Sequence, residues 1–251
     1  MDMSVMVTIA LAVAPQLSAP AVVARVKQQE LRIEDLQASA LLQITADGET
    51  KTRRFRLSMK REGVNYKALI ELEEPRAMAG TKFLIHAERG KRNRQWAYFP
   101  DLELVRSIPG ESQDDPFLGS DITYADLAGG AHLDDLEHAI VGEEVVDGEA
   151  CYVMEGTPRH GIVYGKLRGF VRKKDFVNVK AQFFDQDGEL MKRAHLSDIR
   201  ELGDEIFLAH RIEVRAASGD SASVLTLSDT RINQGLSVES FTEEALSRKT
   251  P

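Results

Sequence analysis

From Gln37 onward, apolar residues recur at every second position, the period of a half-buried strand rather than a helix. Ala40, Leu42, Ile44 and Ala46 alternate with polar or outward positions, and Asp47-Gly48 follows, a dipeptide that favours a two-residue hairpin turn. Phe55, Leu57 and Met59 then share one face while Arg54, Arg56, Ser58 and Lys60 take the other. Tyr66, Ala68, Ile70 and Leu72 repeat the pattern after Glu62-Gly63. Further strands are expected at Lys82–Ala87, Gln95–Phe99 and Glu103–Ile108. Two more hairpins are expected around Asp147-Gly148 and Asp187-Gly188. In the last third, Ile206, Leu208, His210, Ile212 and Val214 share a face, and Ser223–Leu227 returns. About eleven short strands joined by tight turns predict a mainly β protein: a single antiparallel sheet, a meander that is curled or nearly closed, with only a few short helices.

Helical signals are few. Pro20–Leu36 reads as one amphipathic helix with Val23, Val26 and Leu31 on one side. Thr123–Ala128 supplies one turn, and Ser240-Phe241-Thr242-Glu243 reads as a capping box opening a helix that ends at Leu246. Val5–Ala24 is the only long apolar stretch, and Pro15 and Pro20 interrupt it, so it does not read as a membrane span. Small residues at Ala19-Pro20-Ala21 or Val22-Val23-Ala24 suit a leader cleavage site, although Met1–Met6 carries Asp2 and no Lys or Arg. The expected division is a leader over residues 1–24 and one domain over 25–251, exported as a soluble protein.

Composition narrows the chemistry. Against 40 acidic residues stand 32 Lys and Arg, a net charge of −8, which argues against nucleic acid as partner. The single cysteine, Cys151, excludes an internal disulfide framework; its alternation with Tyr152 and Met154 points it away from the main core. No nucleotide-binding glycine pattern, nucleophile elbow or zinc-ligand spacing occurs. His132 and His138 bracket Asp134, Asp135 and Glu137, which read as a solvated acidic loop rather than a metal site. Asp114, Asp115, Asp121 and Asp126 read as turn and capping residues. Arg89–Arg94 and Arg172-Lys173-Lys174 read as solvated loops, and His210 as a core histidine. The chain is expected to be no enzyme, with no catalytic residue, no metal and no cofactor.

Residues 74–126 are more specific. Glu74-Pro75, Gly80-Thr81, Phe83-Leu84, Trp96-Ala97-Tyr98-Phe99-Pro100, Arg106, Phe117-Leu118-Gly119-Ser120-Asp121 and Tyr124-Ala125-Asp126-Leu127, in that order and spacing, resemble the outer-membrane lipoprotein-sorting (LolA-like) family of bacterial periplasmic proteins. The resemblance extends over about residues 37–246 and implies that the curled sheet forms a half-open β-barrel, an open cup plugged by a few short helices as its lid. It also implies a role in carrying the acyl chain of a lipoprotein or another lipid towards the outer membrane or an exporter. The partners implied are an inner-membrane transporter or exporter and an outer-membrane acceptor.

With that shape, alternating positions supply the lipid-binding candidates: Leu57, Met59, Ile70, Leu84, Trp96, Tyr98, Phe117 and Tyr124. Trp96 and Tyr98 are expected to wall the cavity, and Phe117–Asp126 to form a structural or lid-like segment. The competing reading is that these residues are plain core and that the protein is an interaction or sensor module with a filled interior, working with a membrane exporter.

Overall fold

A computed structural model describes residues 17–91, 93–128, 133–159 and 163–248. Its strands are β1 (Asp35–Ala46), β2 (Glu49–Glu62), β3 (Asn65–Glu74), β4 (Lys82–Ala87), β5 (Arg94–Phe99), β6 (Leu104–Ile108), β7 (Leu136–Val146), β8 (Glu149–Pro158), β9 (Lys166–Arg172), β10 (Asn178–Phe184), β11 (Leu190–Glu201), β12 (Phe207–Ala216) and β13 (Ser221–Ile232). All thirteen form one antiparallel sheet in the order β6-β5-β4-β3-β2-β1-β13-β12-β11-β10-β9-β8-β7, so β6 and β7 are free edges and no barrel closes. The helices are α1 (Ala19–Leu31), α2 (Tyr124–Leu127) and α3 (Glu243–Leu246).

Local chemistry sets the turns. Asp47 and Gly48 both take positive φ (51° and 78°), as do Asp147 and Gly148 (50° and 81°), matching the right-handed twist of the strands they join. Sequence periodicity passes over β9, because Lys166 and Arg168 interrupt its apolar run. Both cations pair with Glu155 of the neighbouring β8, at 3.6 and 2.9 Å, so the charges are neutralised across the ladder. The predicted first helix is shorter than expected, ending at Leu31, and the C-terminal helix is capped two residues later than expected. Thr242, not Ser240, accepts the Ala245 N–H at 3.2 Å. Burial also reassigns the face of α1: Val22 is wholly buried, Val23 and Val26 pack beside it, and Leu31 is exposed.

Register distinguishes the two faces of the sheet. One row runs Ala97–Phe83–Ile70–Leu57–Ala38 from β5 to β1. Another runs Ile44–Ser223–Val214–Ala194–Ala181–Gly169–Met154 from β1 to β8. These rows carry the main core, in which buried residues of eight strands surround Phe117, Ile122 and Ala128 of the β6–β7 connection. α1 lies on the same face, with Val22 against Tyr152, Met154 and Val171.

The contacts of that connection show that the sheet curls. The Tyr124 ring lies 5.9 Å from Phe83 of β4, and two residues on, Asp126 pairs with Lys192 of β11. In a flat sheet these strands, six steps apart in the order above, would be separated by about 29 Å. One helical turn bridges both because the sheet wraps around it. Residues 109–128 thus sit as a plug on the concave face.

The start of β1 is pinned to the chain end beyond β13. The Asp35 carboxylate accepts the N–H groups of Gln234, Gly235 and Leu236 at 2.7–3.0 Å and the Lys60 ammonium at 3.3 Å. Burial pushes its pKa up, but these donors outweigh burial and hold it below the usual carboxylate range.

Candidate functional site

The plug is built from a short run of polar and aromatic residues with opposite tasks. Leu118 and Gly119 take positive φ (55° and 81°), turning the chain so that Phe117 points into the concave face. The turn is closed by the Phe117 N–H to the Ile122 carbonyl (2.7 Å) and by the buried Ser120 hydroxyl to the Phe117 carbonyl (2.7 Å). Thr123 and Asp126 then form a reciprocal capping box, Thr123 N–H to the Asp126 carboxylate at 2.8 Å and Asp126 N–H to the Thr123 hydroxyl at 3.1 Å. That box explains a helix of only four residues, and it fixes the direction of the Asp126 carboxylate.

One side of the plug is apolar. The Phe117 ring stands edge-on to Phe55 (6.5 Å), Phe83 (5.1 Å) and Tyr124 (5.4 Å) and is 1% exposed. Backbone carbonyls secure this side: Gln95 of β5 donates to the Tyr124 carbonyl at 2.9 Å, and Tyr66 of β3 donates to the Leu127 carbonyl at 3.3 Å. Burial pushes the Tyr66 phenol well above its usual pKa, so it remains a donor at every physiological pH.

The other side is ionic. Asp126 receives the Lys192 ammonium from β11 and, at 2.9 Å, the hydroxyl of Tyr164, which lies in the β8–β9 connection. Asp121 accepts the hydroxyls of Ser221 and Ser223 on β13, the latter at 2.7 Å, while its own N–H donates back to Ser223 at 2.9 Å. Lys192 is 7% exposed, lies 5.3 Å from the centre of the Tyr164 ring and 5.2 Å from that of Phe183, and donates to the Asp121 carbonyl at 3.3 Å. Burial, and then the Asp126 charge beside it, push the Tyr164 phenol far up, so it too stays protonated.

The eight sequence-predicted residues divide between the two faces. Leu57, Met59, Ile70, Phe117 and Tyr124 meet on the concave face; Ile70 and Phe117 are buried, and Leu57, Met59 and Tyr124 are half-buried. Leu84, Trp96 and Tyr98 do not join them. They lie on the outer face of β4 and β5, packed with Phe241 and Leu246 of the C-terminal segment. The expectation that Trp96 and Tyr98 wall the cup is therefore corrected: the concave core positions of β4 and β5 are Phe83, Ile85, Ala87 and Ala97. Likewise α3 covers the outside of the sheet and is no part of a lid. Sequence reasoning did not find Lys192, Tyr164, Ser221 or Ser223.

Other expectations resolve individually. Cys151 is buried on the face opposite Tyr152 and Met154, with Val153 and Phe170, and burial pushes its thiol pKa up, away from reactivity. His210 is 1% exposed and its Nδ1 bonds the Leu208 carbonyl at 3.0 Å, a core histidine. Asp126 is a capping residue, as its position suggests, but it is also half of an ion pair. His132 lies outside the described residues, and His138 is occupied by the Leu133 carbonyl at 2.6 Å. Among the described residues no helix is long and apolar enough to cross a membrane. A cavity of about 200 Å³ at the ends of the β2–β3 and β4–β5 hairpins is lined by Glu62, Tyr66, Lys67, His86, Glu88 and Arg94. Its charges pair within it, Lys67 with Glu62 at 3.0 Å and Arg94 with Glu88 at 2.7 Å, which does not suit an acyl chain.

Comparison with known proteins agrees with this architecture. A DUF1329 family protein from Desulfovibrio piger superposes with a TM-score of 0.85 at 28% identity, covering 91% of this chain and 99% of that one. A domain described as outer membrane lipoprotein-sorting, from Vibrio parahaemolyticus, gives 0.84 at 26% identity over 90% and 98%. A LolA superfamily protein from Nitrosomonas europaea gives 0.73 at 20% identity over 91% and 99%, a likeness of fold. No curated protein matches the sequence. A family model described as "Uncharacterized protein" matches residues 65–248. Matched over most of its length, the chain belongs to that family, and it folds as the outer-membrane lipoprotein-sorting, LolA-superfamily proteins do.

Proposed function

We propose that the protein is a non-catalytic periplasmic carrier that shields the acyl chain of a lipid or lipoprotein on its concave face and passes it between membrane partners. One observation carries this reading. Over its main core the apolar concave face is covered by an internal segment, and the polar bonds that tie this segment to β11 and β13 all use side chains of those strands, not their backbone. Such a cover separates without breaking the ladder. Half-buried Leu57, Met59, Leu208, Ile212 and Leu225 flank the region that Phe117 fills and would extend the binding surface when the plug moves. Burial supplies the affinity, at about 0.8 kcal/mol per methylene, and no covalent step is needed. Delivery requires a donor and an acceptor, for which we propose an inner-membrane transporter or exporter and an outer-membrane receptor.

Export follows from this reading. α1 starts at Ala19, and Val22 within it is fully buried, so a mature chain beginning at or before Ala19 keeps that contact and one cleaved after Ala24 loses it. The full burial of Phe117 supports a second reading, an interaction module whose interior is already full.

Mass spectrometry of the organic extract from protein purified out of the periplasm without detergent separates the two. A stoichiometric lipid or acylated peptide is the expected result. An empty extract from well-folded protein overturns the carrier reading in favour of the interaction module.

A further inference from the structure

Within the carrier reading, the plug already shows what kind of molecule the concave face accepts. It presents aromatic rings to the apolar wall and, a few residues away, two carboxylates to a set of donors on the opposite wall. Asp126 meets Lys192 and Tyr164, and Asp121 meets Ser221 and Ser223. We infer that the cargo is an anionic amphiphile, with a carboxylate or phosphate head on an acyl chain, and that Lys192 receives that head group when the plug withdraws.

The argument is electrostatic. Lys192 stands on the concave face of β11 between the rings of Tyr164 and Phe183, and Asp126 is its ion-pair partner. An ammonium left unpaired in an apolar wall is strongly disfavoured, so withdrawing Asp126 to admit a neutral chain opposes binding. An incoming carboxylate or phosphate replaces Asp126 in kind, taking the ammonium and the Tyr164 hydroxyl, while its chain takes the place of Phe117. The Ser221 and Ser223 hydroxyls, released from Asp121, add donors on the neighbouring part of the wall. The other cation in this stretch of strand, Arg193, points to the exposed side and takes no part. The exchange also gives the plug a reason to carry acids at positions 121 and 126: it keeps the site satisfied while empty.

The test uses two lipids with the same oleoyl chain, anionic lysophosphatidate and neutral monoolein, each below its micelle threshold, in equilibrium dialysis against the full mature protein. Wild-type protein is expected to prefer lysophosphatidate by about tenfold or more, the worth of one charge-assisted hydrogen bond in a dry site. The ratio of the two affinities falls toward one in Lys192→Met and is kept in Lys192→Arg. Asp126→Asn, which frees Lys192 without removing it, raises affinity for the anionic lipid more than for the neutral one; this variant decides the matter if Lys192→Met does not fold. Equal binding of the two lipids by wild type, a preference for monoolein, or a ratio unchanged in Lys192→Met or Asp126→Asn overturns the inference and leaves the carrier reading standing. Binding of neither lipid overturns both.

Discussion

The two faces of β3, β4 and β5 differ in composition and are covered in opposite ways: the concave side carries Ala68, Ile70, Leu72, Phe83, Ile85 and Ala97, whereas the outer side sets Leu84 and Trp96 among Lys67, Glu71, Lys82, His86 and Arg94. Outside, Leu84 and Trp96 are sealed by Phe241 and Leu246 of the chain's last described segment, which is tied down by the Lys82 ammonium to the Arg248 carbonyl (2.8 Å) and by His86 to the Phe241 carbonyl (2.8 Å). Inside, Phe83, Ile70 and Ile85 are sealed by the plug, which is held on one side by carbonyl acceptors and on the other by one ion pair and two serine hydroxyls. The outer cover buries side chains with a few backbone ties, while the inner one presents a hydrophobic body with charged ends. A permanent seal needs only the first kind; the second is the form expected of a cover that is exchanged for something chemically like it.

The largest difference between the faces should come from placing a charge on each. Leu84 is wholly buried on the outer face, so Leu84→Asp is expected to cost more than about 4 kcal/mol and to unfold the protein, read by circular dichroism and thermal melting. Leu57 is half-buried on the concave face, so Leu57→Asp should cost about 1–3 kcal/mol, leave a folded protein and abolish lipid uptake. Retained uptake in folded Leu57→Asp would remove that residue from the wall and weaken the contrast.

Next in size are the two aromatic anchors, both 1% exposed. Phe117→Ala and Phe241→Ala each delete a buried ring and should each cost about 3–5 kcal/mol in denaturant unfolding. They should part in function. Emptying the Phe117 position opens the concave face and raises lipid uptake per folded molecule, whereas emptying the Phe241 position leaves uptake per folded molecule as it was. Equal effects on uptake would mean that the plug is ordinary core.

A smaller effect sharpens the assignment of faces. Trp96, the only tryptophan, lies on the outer face under Phe241, edge-on to the His86 ring at 5.0 Å and with the Arg94 guanidinium 5.6 Å above it. Its emission should stay constant as lipid is titrated into the wild-type protein. A marked blue shift on lipid binding would place the ligand on the outer face and reverse the assignment.

That residue also illustrates how far the sequence carries. Alternation correctly groups residues within a strand, and the turn dipeptides Asp47-Gly48 and Asp147-Gly148 locate the hairpins, because both signals are local. What alternation does not supply is which side of each strand becomes the inside. That depends on register, and Phe83 opposite Ala97 differs from Leu84 opposite Trp96 by a single residue. The larger side chains drew the inward assignment to Trp96 and Tyr98, where the structure places small Ala97 inside and the bulk outside. The ionic half of the site was invisible for a different reason: Asp126 and Lys192 are 66 positions apart, and nothing local joins them. One signal was there to be read. Lys192 occupies the same parity as Leu190 and Ala194 in a strand where Met191 and Arg193 alternate outward, so a cation was committed to the buried side.

The smallest effect distinguishes the covers by pH. Burial, the largest influence, lowers the His86 pKa from its ordinary 6.5, and the nearby positive charges of Lys67 and Arg94 add to it. Together they outweigh the bond to the Phe241 carbonyl and the Glu88 charge, which act the other way, so the folded protein favours the neutral ring with Nε2–H donated to that carbonyl. A group whose folded pKa is depressed stabilises above its unfolded pKa and loses that stabilisation as pH falls through the folded value. The outer seal should therefore loosen from about pH 6.5 downward. The plug should hold over the same interval, because Tyr66 and Tyr164 titrate far above it. Limited proteolysis is expected to release the C-terminal segment more readily at about pH 5.5 than at about pH 7.5, one unit to either side of the free imidazole value. His86→Gln, whose side chain keeps a donor without titrating, should show proteolysis independent of pH in that window. If that variant keeps the wild-type pH dependence, His86 is not the group that titrates, and the outer seal is no more sensitive to acid than the inner one.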